Sequence, residues 1–174
     1  MQYIGGLDPG LTGALCVLDF KNFRLHLWDT PTSDVKTVGA TVRKHCDPKR
    51  FTQAMVTFPM DHLLIEKVHS TPNDGHVGAF SFGKVTGIAI GIAAGIEVPY
   101  TEVSPAKWKK DMQVPAQKDA AVLVASRYFP NCTDGWKRKM DHGRAEAALI
   151  ALYGAIQQGC SPSQPFYLGT INGG

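Results

Sequence analysis

A glutamate within an apolar segment is the residue that most needs a chemical explanation. Segment 63–68 (LLIEKV) is typical of a buried central strand, yet it carries Glu66. An ionised carboxylate in such surroundings costs several kcal/mol unless a basic residue or a metal ion pairs with it. Asp8 follows the first apolar segment, and Glu146 lies in an Ala/Leu-rich helical segment. Three acids in separate apolar elements are most simply explained if they converge on hard cations such as Mg²⁺.

The last helical segment offers further polar groups beside Glu146. His142 lies four residues before Glu146 and shares its helix face, whereas Asp141 occupies the expected N-cap position. Asp141 is therefore a possible metal ligand or a helix cap, and His142 a possible catalytic group or a first-turn residue. Two divalent ions about 3.5–4 Å apart can bridge one scissile phosphate. Asp8, at the end of a central strand, is the candidate bridging ligand.

Composition and charge indicate a globular protein with one basic region. The chain has 174 residues, of which 44% are hydrophobic and 19% charged, which fits one ordinary domain. Residues 101–140 contain eight Lys or Arg against four Asp or Glu, although the whole chain carries only +3. A basic segment beside an acidic metal centre suits a phosphodiester substrate, and a solvated helical surface is the simpler alternative.

Cellular location is indicated by two absences. The four scattered cysteines form no CxxC pair and fit free thiols in a reducing compartment. No secretory signal or transit peptide is visible, so we expect a cytoplasmic protein. Segment 77–96 is apolar, but its Lys84 and five glycines favour a buried helix over a membrane span.

The order of elements predicts an α/β protein with a five-stranded mixed sheet and helices on both faces. Three antiparallel strands come first and two parallel strands follow, with helices between and after them. We expect helices near 34–45 and 49–57, and a glycine-rich helix over 79–96 that packs on the sheet or on another subunit. The last helix spans 142–157. Residues 1–158 form the predicted domain, and 159–174 a loosely held tail.

Several motifs together resemble one family. They are Gly-Leu-Asp8-Pro-Gly, Ile-Glu66-Lys-Val, Ser-Phe-Gly83, Val-Ser-Pro-Ala-Lys-Trp108-Lys109 and Asp141-His-Gly-Arg-Ala-Glu146. In this order they are similar to the RuvC family of Holliday-junction resolvases, in its phage and organellar branch, over roughly residues 3–157. The resemblance implies a ribonuclease H-like fold, a homodimer, and two Mg²⁺ or Mn²⁺ ions. It also implies paired nicks across a four-way DNA junction, by a protein that acts on DNA in the cytoplasm of a bacterial or phage-infected cell.

The resemblance assigns roles by position. Asp8, Glu66 and Glu146 match the metal acids of the family, and Lys118 matches a basic residue near the scissile phosphate. The family often has another acid three residues before the last one, where this chain has Gly143, so Asp141 or His142 must supply that function. The predicted DNA-binding residues are His69, Phe80, Lys84, Lys107, Trp108, Lys109 and Lys118.

Three other functions compete with junction resolution. Asp-Pro-Gly-Leu-Thr-Gly resembles a phosphate loop of the actin and sugar-kinase superfamily, but those proteins need two lobes and this chain supplies one. Another nuclease of the same fold could act on flaps, forks or RNA–DNA hybrids. A binding protein without catalysis is the third alternative, and the intact acids argue against it.

Overall fold

The protein is built on a six-stranded mixed sheet. The computed structural model describes residues 1–36, 41–67, 75–117 and 119–173. The strands are β1 (Tyr3–Asp8), β2 (Ala14–Asp19), β3 (Arg24–Asp29), β4 (Thr32–Lys36), β5 (Val42–Cys46), β6 (His62–Glu66), β7 (Tyr100–Val103) and β8 (Tyr167–Asn172). The main sheet has the order β7-β6-β1-β2-β3-β8, and β4 pairs with β5 in a separate hairpin. The α/β class and the mixed sheet are confirmed.

Strand β1 lies at the centre of the sheet and determines where the acids meet. It pairs antiparallel with β2 and parallel with β6, and Leu7 faces Ile65 in the parallel register. Asp8 and Glu66 are the next residues on the two strands. Because parallel strands end at the same edge of a sheet, both carboxylates leave the sheet side by side.

Helices cover both faces of the sheet, as predicted. They are α1 (Pro48–Met55), α2 (His76–Gly95), α3 (Pro105–Asp111), α4 (Ala120–Tyr128) and α5 (His142–Gln157), with a 3₁₀ turn over Thr133–Trp136. Helices α3, α4 and α5 share one hydrophobic core with β2 and β3, and α1 and α2 share the other with β1 and β6. Alanines of α5 face the sheet, so this helix lies directly against β1.

The prediction of five strands is wrong because the C-terminal segment adds a sixth. Residues Tyr167–Asn172 pair in parallel with β3, in the segment expected to be a loosely held tail. Phe166 just before them is 1% exposed and packs edge-on against Phe20 and Phe129. One buried aromatic ring and a free sheet edge therefore order a segment whose composition is typical of a loop.

The predicted helix over 34–45 is also wrong. Strands β4 and β5 form an antiparallel hairpin there, in which Asp34 faces Lys44 and Val35 faces Arg43. Both strands are largely exposed, so they lack the alternation of apolar and polar residues by which a half-buried strand is recognised in a sequence. Helix α1 does begin where Asp47-Pro48 predicted, because the Asp47 side chain accepts a hydrogen bond from the Arg50 amide.

Helix α2 is apolar but mostly exposed, which differs from the buried helix that the sequence favoured. It is long and apolar enough to cross a membrane, and only 22% of its most apolar window is buried. Length and composition alone are weak evidence for a span. An ideal Cβ at Gly83, Gly87, Gly91 or Gly95 meets no atom within 4 Å, so this side of the helix packs on nothing in the described chain.

Candidate active site

Three carboxylates converge where β1 and β6 end beneath the start of α5. Asp8 and Glu66 end their strands, and Glu146 lies one turn into α5, which crosses β1. Burial raises the pKa of Asp8 well above its ordinary value, and the negative charges of Glu146 and Glu66 raise it further. The structure therefore brings together the three acids that the sequence singled out.

Glu66 is held by a buried tryptophan. The Trp108 Nε1–H donates to Glu66 Oε2 at 2.6 Å, and Trp108 is fully buried beneath α3. Burial raises the pKa of Glu66, and the bond from Trp108 opposes that rise. Trp108 has no exposed surface, so its burial gives no support to the predicted DNA contact, which stays a prediction. Its position instead orients a carboxylate.

Lys109, the next residue, forms an ion pair with Glu146. Its Nζ lies 2.7 Å from Glu146 Oε1 and 5.2 Å from the centre of the Trp108 ring. Partial burial by itself would lower the pKa of Lys109, but the hydrogen bond and negative charge of Glu146 raise it overall. The ammonium group that was predicted to bind DNA is thus part of the acid cluster, where it offsets one negative charge.

Gly143 explains why this chain has no acid three residues before Glu146. An ideal Cβ at this position would lie 2.7 Å from the Thr12 carbonyl oxygen and 2.9 Å from Asp8 Oδ2. The first turn of α5 therefore packs against Asp8 and the loop after β1 without room for a side chain. The absence of the acid that the family often has at this position therefore has a steric explanation.

Asp141 and His142, the two candidates to replace the acid that is absent at Gly143, occupy different environments. Asp141 is 3% exposed and accepts hydrogen bonds of 2.9 Å from both the backbone amide and the Nε of Arg138. Burial alone would raise its pKa, but the bonds from Arg138 lower it. His142 is exposed and lines a cavity of about 630 Å³ together with Lys109 and Glu146. His142 therefore shares a cavity with Glu146, whereas Asp141 is engaged in ion pairs.

Sequence reasoning missed a buried ion pair that anchors α5. Arg144, 5% exposed, donates to both carboxylate oxygens of Asp29 at 2.5 and 2.8 Å, and to the Gly135 carbonyl oxygen at 3.2 Å. The signal was available, since an arginine in an otherwise apolar helix needs a partner. This pair fixes the start of α5, and with it Glu146, relative to β3.

The other predicted DNA-binding residues are scattered. Phe80 and Lys84 lie on the exposed part of α2, with Phe80 75% exposed and Lys84 Nζ 3.5 Å from His45 Nδ1. Lys107 pairs with Asp111 at 3.1 Å and lines a different cavity from that of Glu146. His69 and Lys118 lie outside the described residues. These positions remain predictions.

The chemistry of the three acids suits a hard divalent cation. Carboxylate oxygens on rigid elements are preferred ligands of Mg²⁺ and Mn²⁺. Nevertheless, within the described ranges no three carboxylate, imidazole or thiol groups already form a coordination sphere. Two of the carboxylates are instead occupied by protein donors, Glu66 by Trp108 and Glu146 by Lys109. The ligand types in this cluster therefore suit a divalent metal. How many ions bind there stays a prediction.

Replacing Trp108 with phenylalanine should weaken metal binding. The ring keeps its place in the core, but Glu66 loses its donor, and loss of such a supporting bond to a ligand typically costs about 10- to 100-fold in affinity. Calorimetric titration of Mn²⁺ without DNA measures the effect. Trp136→Phe is the matched control, because Trp136 Nε1 donates at 3.0 Å to Ser126 Oγ away from the acids. Equal Mn²⁺ affinities of the two variants would contradict the role of Trp108.

Sequence comparison relates part of this chain to one known protein. No protein-family model matches the chain. The sequence is 31% identical over 84 residues to the chloroplastic Holliday junction resolvase MOC1 of Chlamydomonas reinhardtii, a stretch that covers 47% of this chain and 10% of that protein. The chain thus spans about a tenth of this relative's length.

Solved structures match nearly the whole chain. Thermus thermophilus RuvC in complex with a Holliday junction substrate superposes with a TM-score of 0.58 at 16% identity, covering 91% of this chain and 96% of that one. A second T. thermophilus RuvC structure gives 0.52 at 17% identity, covering 92% and 99%. These matches show an α/β fold of the ribonuclease H-like class. Within that class its fold is that of RuvC, as the sequence resemblance predicted.

Proposed function

We propose that this protein is a divalent-metal-dependent endonuclease that resolves four-way DNA junctions by paired phosphodiester hydrolysis. The observation that carries the proposal is the convergence of Asp8, Glu66 and Glu146 at one sheet edge of a RuvC-like fold. The names of two relatives support the substrate, since MOC1 is a Holliday junction resolvase and one RuvC structure contains a Holliday junction. On this proposal it is a soluble protein that acts on DNA.

Each residue of the site has a role in this reaction. Asp8, Glu66 and Glu146 would hold the ions, which when bound supply Lewis-acid stabilisation of the phosphate and activation of water. Trp108 keeps Glu66 in one orientation, and Lys109 limits the repulsion between Glu146 and the other acids. His142 is exposed beside Glu146 and is placed to move a proton at the cavity where the phosphate would enter.

Cleavage of an immobile four-way junction in Mg²⁺ tests the function. Nick positions mapped on all four strands should show symmetric paired nicks in two strands of like polarity. A panel of flap, fork and RNA–DNA hybrid substrates serves as the comparison. Equal rates on flap and four-way substrates would contradict a dedicated resolvase, and no cleavage of any substrate would contradict a nuclease.

A homodimer would supply the two active sites that paired nicks require, and we propose that α2 forms its interface. Apolar residues and glycines line the exposed side of this helix, and the glycines leave open space for close approach of a second helix. Val77, Phe80 and Phe82 at its start are 67%, 75% and 46% exposed, which is costly for a monomer in water.

Replacing Gly87 with phenylalanine should therefore convert the protein from dimer to monomer. A large side chain in the middle of the glycine side keeps a second helix from approaching, while the described chain itself has room for it. Sedimentation velocity at micromolar concentration measures the change, with Leu123→Phe as the control, because Leu123 is 65% exposed on α4 and lies outside the proposed interface. A monomeric wild-type protein at the same concentration would contradict the proposed interface.

A further inference from the structure

A second cavity lies beside the N-terminus of α5 and shares Met140 with the cavity that contains Glu146 and His142. It has a volume of about 320 Å³ and lies between the base of the β4–β5 hairpin and the body of the protein. Its polar lining consists of Thr12, Asp29, Thr30, Thr32, Lys44, Arg138 and Asp141. The hairpin is held there by two bonds, from the Asp47 amide to the Pro31 carbonyl oxygen at 2.8 Å and from Arg50 Nη1 to the Thr32 carbonyl oxygen at 3.3 Å.

The charge of this cavity favours an anion. Its two carboxylates, Asp29 and Asp141, both accept hydrogen bonds from arginines, Asp29 from Arg144 and Asp141 from Arg138. The Arg138 side chain is 53% exposed, so it can reach a ligand while keeping these bonds. Lys44 is exposed and lies opposite Asp34 in the hairpin, but it is within ion-pair distance neither of Asp34 nor of another described carboxylate. Because each of the two carboxylates is paired with an arginine, the positive charge of Lys44 is not neutralised by the cavity wall.

A buried hydroxyl group in the same wall has no partner. Among the described side chains, Thr30 Oγ1 is the buried polar atom without a hydrogen bond, and Thr30 is only 3% exposed. Its backbone is fixed, because the Thr30 amide donates to the Gly13 carbonyl oxygen at 2.9 Å. Buried polar groups in folded proteins almost always have a partner, so an unpaired hydroxyl in a cavity points to a ligand.

The cavity adjoins the acid cluster through one loop. Thr12 and Gly13 line the cavity, and the Thr12 carbonyl oxygen and Asp8 Oδ2 both lie within 3 Å of an ideal Cβ at Gly143. Met140 lines this cavity and also the one that contains Glu146. A nucleic acid strand whose phosphate lies at Asp8 would therefore continue over the loop toward Thr30 and Lys44.

We propose that this cavity binds a backbone phosphate of the cleaved DNA strand, close to the phosphate at which that strand is cut. Lys44 and Arg138 supply the positive charge, and the hydroxyls of Thr30 and its neighbouring threonines donate hydrogen bonds to the phosphate oxygens. This inference rests on the proposed nuclease function and adds a binding site to it. On this proposal the β4–β5 hairpin contributes to DNA binding, since it carries Lys44 and Thr32 to the cavity.

Three substitutions test the site. Thr30→Val keeps the shape and removes the hydroxyl, and Lys44→Gln removes the charge. Lys36→Gln is the matched control, because Lys36 lies farther along the same hairpin, is exposed, and does not line the cavity. Binding of a fluorescent four-way junction is measured in EDTA over a range of salt concentrations, so that no cleavage occurs.

We expect Lys44→Gln to weaken junction binding about tenfold and to reduce the slope of log Kd against log salt by about 1, as for one lost phosphate contact. Thr30→Val should weaken binding about fivefold, while its melting temperature stays equal to or above that of the wild type, since the hydroxyl has no partner to lose. Lys36→Gln should retain the wild-type salt slope. A merely structural role of Thr30 would lower stability and leave affinity unchanged.

The outcomes separate this inference from the proposed function. If the wild type binds and cleaves junctions while Thr30→Val and Lys44→Gln bind as Lys36→Gln does, only the phosphate site is overturned. If the wild type binds no junction at all, the proposed function itself is contradicted and the site falls with it.

Discussion

Replacing Glu66 with glutamine should abolish junction cleavage while leaving junction binding largely intact. Glutamine has the same shape and keeps an oxygen that can accept the bond from Trp108 Nε1, so the local fold is preserved. What it removes is one negative charge from the cluster formed with Asp8 and Glu146. Because transition-state stabilisation by metal is worth several kcal/mol, the cleavage rate should fall by about a thousandfold or more.

Single-turnover cleavage of a four-way junction in Mg²⁺ measures the rate, and binding in EDTA measures the affinity. Glu102→Gln is the matched control, since Glu102 is an exposed carboxylate on β7, beside the strand of Glu66. We expect this control to cleave at the wild-type rate. Normal cleavage by Glu66→Gln would show that the metal acids are wrongly assigned.

Replacing Gly6 with alanine should destabilise the whole protein. An ideal Cβ there would collide with the backbone nitrogen of Ala151 and the carbonyl oxygen of Ala147, both in α5, and would lie 2.8 Å from the Ala151 Cα. Backbone atoms of a helix cannot move aside individually, so α5 must shift away from β1. Overpacking of this kind costs about 3 kcal/mol or more, which lowers the melting temperature by about 10 °C in a domain of this size.

Substitutions at two other glycines provide the comparison. At Gly5 the added Cβ would meet the Met60 sulfur at 2.6 Å and Leu63 Cδ1 at 2.7 Å, which are side-chain atoms that can rotate. At Gly78, on exposed α2, it would meet nothing within 4 Å. Thermal unfolding should therefore rank the loss of stability as Gly6→Ala, then Gly5→Ala, with Gly78→Ala unchanged or slightly stabilised. Equal melting temperatures for the three would mean that α5 does not lie against β1 as described.

The sequence by itself was enough to find the three acids and the class of fold. Asp8, Glu66 and Glu146 stood out because a carboxylate in an apolar element is costly, and that cost depends on local surroundings that a sequence shows. Helix α5 was predicted over 142–157 and observed over His142–Gln157 for the same reason, since its apolar composition and its polar N-terminal residues are local signals.

Only the tertiary structure decided which groups hold those acids. Trp108 and Glu66 are 42 residues apart and belong to elements that are not neighbours in sequence, so no local pattern could indicate their hydrogen bond. Asp141 and His142 are adjacent, yet one turns to Arg138 and the other to the cavity of Glu146. Strand β8 forms because β3 offers a free edge, and a free edge exists only after the sheet has assembled. Partners across a fold depend on the path of the whole chain, whereas the cost of a buried charge can be estimated one segment at a time.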